Sequence, residues 1–142
     1  MNADVMFSSD DSNWETPQKW FEYLDLEFKF TLDPCATKHT AKCKKFFTPE
    51  QDGLKQSWED EPVFMNPPYG KEISKWMSKA YKEARDHQAL VVCPVPARVE
   101  TQCWHRYAVK GEVRYPIGRL KFGDAKSSAP FPVAIVIFRP LL

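Results

Sequence analysis

Residues 63–72 read VFMNPPYGKE, an apolar, strand-like run that drives straight into Asn66-Pro67-Pro68-Tyr69. Two adjacent prolines remove two backbone donors and fix two φ angles, so the segment can neither continue a central strand nor lie inside a helix. A strand must end here and present a rigid turn.

The pattern on either side says what kind of sheet this strand joins. Upstream, Thr16 and Pro17 read as an N-cap and first helical position, and Trp20, Phe21, Leu24 and Phe28 follow at helical spacing as a core-facing stripe. FKFTLDPCA reads as a buried strand that ends at Asp33-Pro34, leaving a carboxylate at its carboxyl end. KKFFTP is a short second strand closed by Pro49, and GLKQSW is irregular. Downstream, Ile73, Trp76, Met77 and Ala80 mark one face of a helix over KEISKWMSKAYKEARDH. ALVVCPV is a buried strand of the parallel-sheet kind, and VETQCWHRYAV a further helix. The last stretch, with Gly118 and Gly123 at turns, lacks helical period and reads as a terminal hairpin. Strands alternating with helices predict an α/β fold, an open and mostly parallel sheet with a C-terminal antiparallel hairpin.

With 142 residues and 43% hydrophobic composition, the chain is long enough for one compact domain, here 14–142 behind a flexible N-terminal segment 1–13. Twenty basic against nineteen acidic residues leave a net charge of +1, so no global field announces a partner, and the partner class has to come from motifs. Cys35, Cys43, Cys93 and Cys103 form no CxxC pair, and nothing before them reads as a signal peptide; free thiols in a cytoplasmic protein are expected. His39 between Cys35 and Cys43 matches no standard zinc spacing, and no metal is expected. Cys103 and His105 lack the third member and oxyanion donors of a nucleophilic site. No apolar run approaches the roughly 20 residues that span a membrane, so no membrane partner is expected.

In open α/β sheets ligands bind beyond the carboxyl ends of the strands, where both Asp33-Pro34 and the Asn66 turn fall. Asn66 offers a side-chain amide oxygen, Pro67 a main-chain carbonyl and Tyr69 an aromatic face. Two acceptors without a titratable proton suit an exocyclic amine: they hold its hydrogens and stabilise the positive charge that develops when its nitrogen attacks. An aromatic face stacks on a base, and a base in a duplex must be flipped out to reach such a pocket. Asp33 reads either as a ligand group or as an acceptor for nearby backbone donors. Lys38, Lys42, Lys44 and Lys45 read as a solvated face or as phosphate contacts, with Arg98, Arg119 and Lys121 also near the site face.

NPPYG resembles the motif of amino-directed S-adenosylmethionine-dependent methyltransferases. TLDPCAT, FFTPEQDGL, FMNPPYG and GRLKF…APFPVAIVIF, in that order behind WETPQKWFEYL, resemble the phage-type, Dam-like DNA N6-adenine methyltransferases over residues 14–138. The resemblance implies a Rossmann-like methyltransferase fold, S-adenosylmethionine as cofactor, double-stranded DNA as partner and methyl transfer to adenine N6. Asn66 and Pro67 would hold the amine, Pro68 shape the turn and Tyr69 stack on the base through its ring, with no need of its hydroxyl. Trp14, Thr16, Pro17, Asp33, Pro34 and Ala36 would line the cofactor pocket, with Asp52, or Glu50 as its rival, toward the cofactor's adenine. Cytosine N4, an RNA base or a glutamine amide are the alternative acceptors. A catalytically silent nucleic-acid-binding protein on the same fold is the alternative from another class. The chain departs from many methyltransferases in having no glycine after its first strand until Gly53, a role small Ala36 fills in part. No separate insertion reads a target sequence.

Overall fold

A computed structural model describes residues 15–117 and 131–141. Trp14, Gly118, Arg119, Lys121, Gly123 and the expected flexible segment 1–13 lie outside the described residues. Among the described residues the chain forms one mixed sheet of six strands: β1 (Leu32–Asp33), β2 (Lys45–Phe46), β3 (Pro62–Phe64), β4 (Leu90–Pro96), β5 (Glu112–Arg114) and β6 (Val133–Phe138). Their spatial order is β2-β1-β3-β4-β6-β5. β2, β1, β3 and β4 pair in parallel, whereas β6 runs antiparallel to both β4 and β5. The expected mostly parallel sheet with a terminal antiparallel hairpin is therefore present. The chain leaves β1 toward one sheet edge and returns to the other side of β1 at β3, so a switch point lies between their carboxyl ends.

Strand alternation sorts the core into two layers. Val63, Met65, Val91, Cys93, Val136 and Phe138 face one side with Trp76, Met77 and Ala80 of helix α2 (Ile73–His87). Phe64, Val92, Ile135 and Ile137 face the other, beneath Phe21 and Leu24 of helix α1 (Gln18–Phe28). A five-residue helix, α3 (Gln102–Arg106), extends the first layer and is shorter than the helix expected over VETQCWHRYAV, because Tyr107 leaves helical geometry and a 3-10 turn (Ala108–Lys110) follows.

Helix α1 begins one residue later than its sequence suggests. Pro17 is the N-cap, and its carbonyl accepts from the Trp20 and Phe21 N–H groups at 3.0 and 3.1 Å. Thr16 therefore does not cap the helix; its hydroxyl points elsewhere. At the other end Lys29 adopts left-handed geometry (φ 53°), and the Asp25 side chain accepts from Phe30 N–H at 2.8 Å, which turns the chain toward β1.

β4 carries two prolines inside the sheet, at first sight a misplacement. Its parallel pairing to β3 ends where Met65 N–H donates to the Val92 carbonyl at 2.9 Å. Alternation points Pro94 and Pro96 toward the same side, where β3 has already peeled away, so no ladder bond is lost there. On the opposite side β4 pairs with β6 along its length. The strand ending predicted from Pro67 and Pro68 thus has a counterpart in the neighbouring strand.

Candidate active site

Asp33 closes β1 and Asn66 follows β3, so two adjacent parallel strands deliver a carboxylate and an amide to one edge of the sheet. Both line a cleft of about 600 Å³, within the size range of small-molecule sites. Of the residues expected at a cofactor, Thr16, Asp33, Pro34, Ala36 and Asp52 line this cleft; Pro17 and Glu50 do not. Glu50 is exposed on the turn before, so between the two rival carboxylates the structure brings Asp52 to the cleft.

Asp33 is 3% exposed. One of its oxygens accepts from Cys35 N–H at 3.3 Å and the other from Lys42 N–H at 3.0 Å, so the carboxylate folds the loop between β1 and β2 back over the strand end. Burial raises its pKa to about 6, against the pull of those two N–H donors and the Lys42 charge. The group is a desolvated acid at the floor of an open cleft. Cys35 beside it is an inert thiol, pushed up to about 12 by burial and by the Asp33 charge.

The missing glycine turn finds its explanation in Gly53. Its amide backbone lies against the β1 loop so closely that a Cβ would stand 2.0 Å from the Pro34 carbonyl oxygen and 3.1 Å from the Trp76 ring. The close approach that a glycine after β1 would give is supplied from the facing loop. Asp52, in left-handed geometry (φ 55°), accepts from Leu54 N–H at 3.1 Å and starts the 3-10 turn Gly53–Lys55, while the Trp58 indole N–H donates to the Gly53 carbonyl at 3.0 Å. Trp58 stacks with Trp76, which lines the cleft. GLKQSW, irregular by its pattern, is a buttress for one wall.

The Asn66 turn is held from behind. Asn66 and Pro68 line the cleft, with Asn66 Oδ1 enclosed, whereas Pro67 is buried outside it. Tyr69 corrects the expectation of a base-stacking ring. It is 4% exposed, packs edge-to-face with Phe131 at 5.6 Å, and its hydroxyl donates to the Pro94 carbonyl at 2.9 Å. The ring is walled in because it fills the gap that β3 leaves beside β4, and there its hydroxyl matters. Gly70 follows with φ 107°, a conformation that favours glycine, and swings the chain into α2.

The basic residues expected on DNA scatter. Lys42 is drawn into the cleft with its side chain 9% exposed, its ammonium donating to Gln18 Oε1 at 2.9 Å and standing 3.5 Å from Glu15. It joins the β1–β2 loop to the start of α1 and does not belong to an exposed phosphate-binding face. Lys45 pairs with Glu61, and Lys44 is exposed. Arg98 stacks over the Phe131 ring and lines a separate cavity of about 130 Å³ behind the Asn66 turn. Sequence reasoning missed Thr40, Thr48, Glu72 and Lys75 in the cleft wall; only their position after Asp33, Phe47 and the double proline signals them. Thr16 carries a further pointer: it is 2% exposed, lines the cleft, and its Oγ1 has no hydrogen-bond partner among the described residues. A buried hydroxyl left so is costly unless a ligand completes it.

A family model described as DNA N-6-adenine-methyltransferase (Dam) matches residues 5–141. The chain is similar to the DNA N-6-adenine-methyltransferase of Haemophilus phage HP1 (strain HP1c1), with 30% identity over 142 residues covering 93% of this chain and 81% of that protein. It is also similar to the DNA N-6-adenine-methyltransferase of Escherichia phage T1, with 35% identity over 60 residues, 41% of this chain and 25% of that protein.

Proposed function

Since the chain belongs to the DNA N-6-adenine-methyltransferase (Dam) family, we propose that its cleft holds S-adenosylmethionine beside an adenine extruded from double-stranded DNA, on a Rossmann-like methyltransferase fold. The reaction is methyl transfer to adenine N6 in DNA. The observation that carries the site assignment is the convergence of Asp33 and Asn66, from the carboxyl ends of neighbouring parallel strands, on one cleft at the switch point of the sheet.

The cleft fits such a donor. Its volume is of the right order, the buried Thr16 Oγ1 lacks a partner among the described residues, and the desolvated Asp33 carboxylate gains most from a cationic ligand. Thr16, Asp33, Pro34 and Ala36 hold the methionine end, and Asp52 the nucleoside end. S-adenosylmethionine supplies an electrophilic methyl group on a sulfonium centre.

The protein's part is acceptor chemistry and positioning. Asn66 Oδ1 and the Pro67 carbonyl would accept the two hydrogens of the adenine amine, localising the lone pair on its nitrogen and stabilising the ammonium character that builds there. The methyl–sulfur bond would break as the nitrogen–carbon bond forms, S-adenosylhomocysteine would leave as a neutral thioether, and the released proton would go to water. Pro67 and Pro68 fix the backbone that carries both acceptors, and Tyr69 fastens that backbone to β4, a positioning role.

The test is incubation with radiolabelled S-adenosylmethionine and unmethylated duplex DNA, digestion to nucleosides and identification of the labelled product, with Asn66→Ala alongside. Label in N6-methyladenine, reduced about 100-fold or more in the variant while it still binds S-adenosylmethionine, is the expected result. Label in another nucleoside, or near-normal turnover by the variant, overturns the assignment.

A further inference from the structure

A further hollow, of about 400 Å³, opens on the α1 face of the sheet between that helix and the end of β5. Trp20, Tyr23 and Leu24 form one wall, Tyr115 and Ile135 the other, and Lys19 stands at its rim. Tyr23 and Tyr115 are 65% and 68% exposed, an unusual use of large rings on a surface that nothing in the chain covers among the described residues. Trp20 and Tyr23 meet edge-to-face at 6.2 Å, so the wall is built of two rings set against each other.

Three observations say what the hollow takes. It backs onto the Asn66 turn: Trp20, in its wall, also packs against the cluster of Tyr69, Phe131 and Val133 behind that turn. It lies at the same end of the sheet, because β5 runs parallel to β4 and Tyr115 follows its carboxyl end. Its charge admits a polyanion: Lys19 forms no ion pair among the described residues, and Arg114 engages Glu27 at 2.7 and 2.8 Å and, together with Arg139, Glu112, which leaves Glu22, held by the Gln18 amide, as the carboxylate beside Tyr23.

Aromatic faces with a cation on the rim, next to a site that acts on DNA, are the elements of a stacking platform for nucleobases. We infer that this hollow holds a base adjacent to the target adenine, stacked on Tyr23 and Tyr115 with its phosphate at Lys19. The inference rests on the reading of the cleft as a DNA methyltransferase site. It gives the strand beside the extruded base a place to be gripped.

Genomic DNA methylated by the wild-type protein is first sequenced to locate its N6-methyladenine. Duplex oligonucleotides carrying that site are then used to measure kcat and KM for DNA with wild type, Tyr23→Ala and Tyr115→Ala. Loss of one stacking ring raises KM for DNA about tenfold or more, with thermal stability and S-adenosylmethionine affinity unchanged. On oligonucleotides with the flanking bases removed in turn, one abasic position penalises wild type as the substitutions do and adds nothing to the variants. Unchanged KM in both variants, or penalties that simply multiply at every abasic position, overturns the inference while leaving the methyltransferase reading intact. A wild-type dimer that Tyr115→Ala splits with no change in KM also overturns it, assigning the hollow to a second copy of the chain. Wild-type protein that labels no DNA sinks the reading itself and the hollow's role with it.

Discussion

Substituting Gly53 by alanine tests whether the cleft depends on backbone contact between its two loops. The new Cβ would stand 2.0 Å from the Pro34 carbonyl oxygen and 3.0 Å from its carbon, about 1 Å inside the distance at which such contacts cease to occur. Gly53 is not in the left-handed region, so alanine carries no dihedral penalty and the whole effect is steric. The atoms in the way are backbone, and neither loop is free to yield: Trp58 holds the Gly53 carbonyl and Asp33 holds the far end of the Pro34 loop. Overpacking of this kind costs about 1–3 kcal/mol, and the rigid neighbours place this case toward the upper end, a fall of roughly 10 °C in Tm for a domain of this size. Because relief comes only by parting the loops that form the cleft, binding of S-adenosylmethionine should weaken about tenfold or more. Differential scanning calorimetry and isothermal titration calorimetry at one pH measure both. A variant with native Tm and native affinity would refute the account of Gly53 as the substitute for a glycine after β1.

Two further outcomes follow from buried polar groups. Tyr69→Phe leaves the Pro94 carbonyl without the hydroxyl it accepts from and should cost about 1–3 kcal/mol in urea denaturation, with kcat reduced as the Asn66 turn loosens; indistinguishable stability and turnover would restore a role for the ring alone. The Asp33 carboxyl, raised to about 6 from 3.8, favours the folded state when protonated, so its stabilising contribution is full below about pH 4 and is lost as pH rises through about 6. The stability of wild type relative to Asp33→Asn should therefore fall by about 3 kcal/mol between those limits, and a difference that is flat or rises with pH would contradict the burial assigned to Asp33.

How much of this was legible in the sequence depended on how far apart the partners lie along the chain. Asp33-Pro34 and Asn66-Pro67-Pro68 announce strand ends because proline acts locally, and alternation with a helical stripe between them then suffices to bring both to one edge. The lysine run reads as a solvated face or as phosphate contacts, and Lys42 is neither; its burial follows from Asp33 capturing its N–H across nine residues, a bond that no spacing rule announces. The Tyr69 ring suggests stacking from sequence alone, yet the acceptor for its hydroxyl is 25 residues away and exists only because Pro94 has no strand beside it. The helix starts one residue after the Thr16-Pro17 pattern predicts, and that single shift sends the threonine hydroxyl to the cleft instead of the helix end.

The prolines of β4 have a consequence beyond the fit of the Tyr69 turn. Where β3 departs, the outer half of β4 turns toward the vacated side a margin that could recruit any extended segment, including its own copy on a neighbouring molecule. With Pro94 and Pro96 in that margin there are no N–H groups at those positions to begin a ladder, and the carbonyl between the gap and the turn is already taken by Tyr69. The gap beside the outer half of β4 is thus closed by a side chain, and the sheet ends there without needing, or inviting, a further strand.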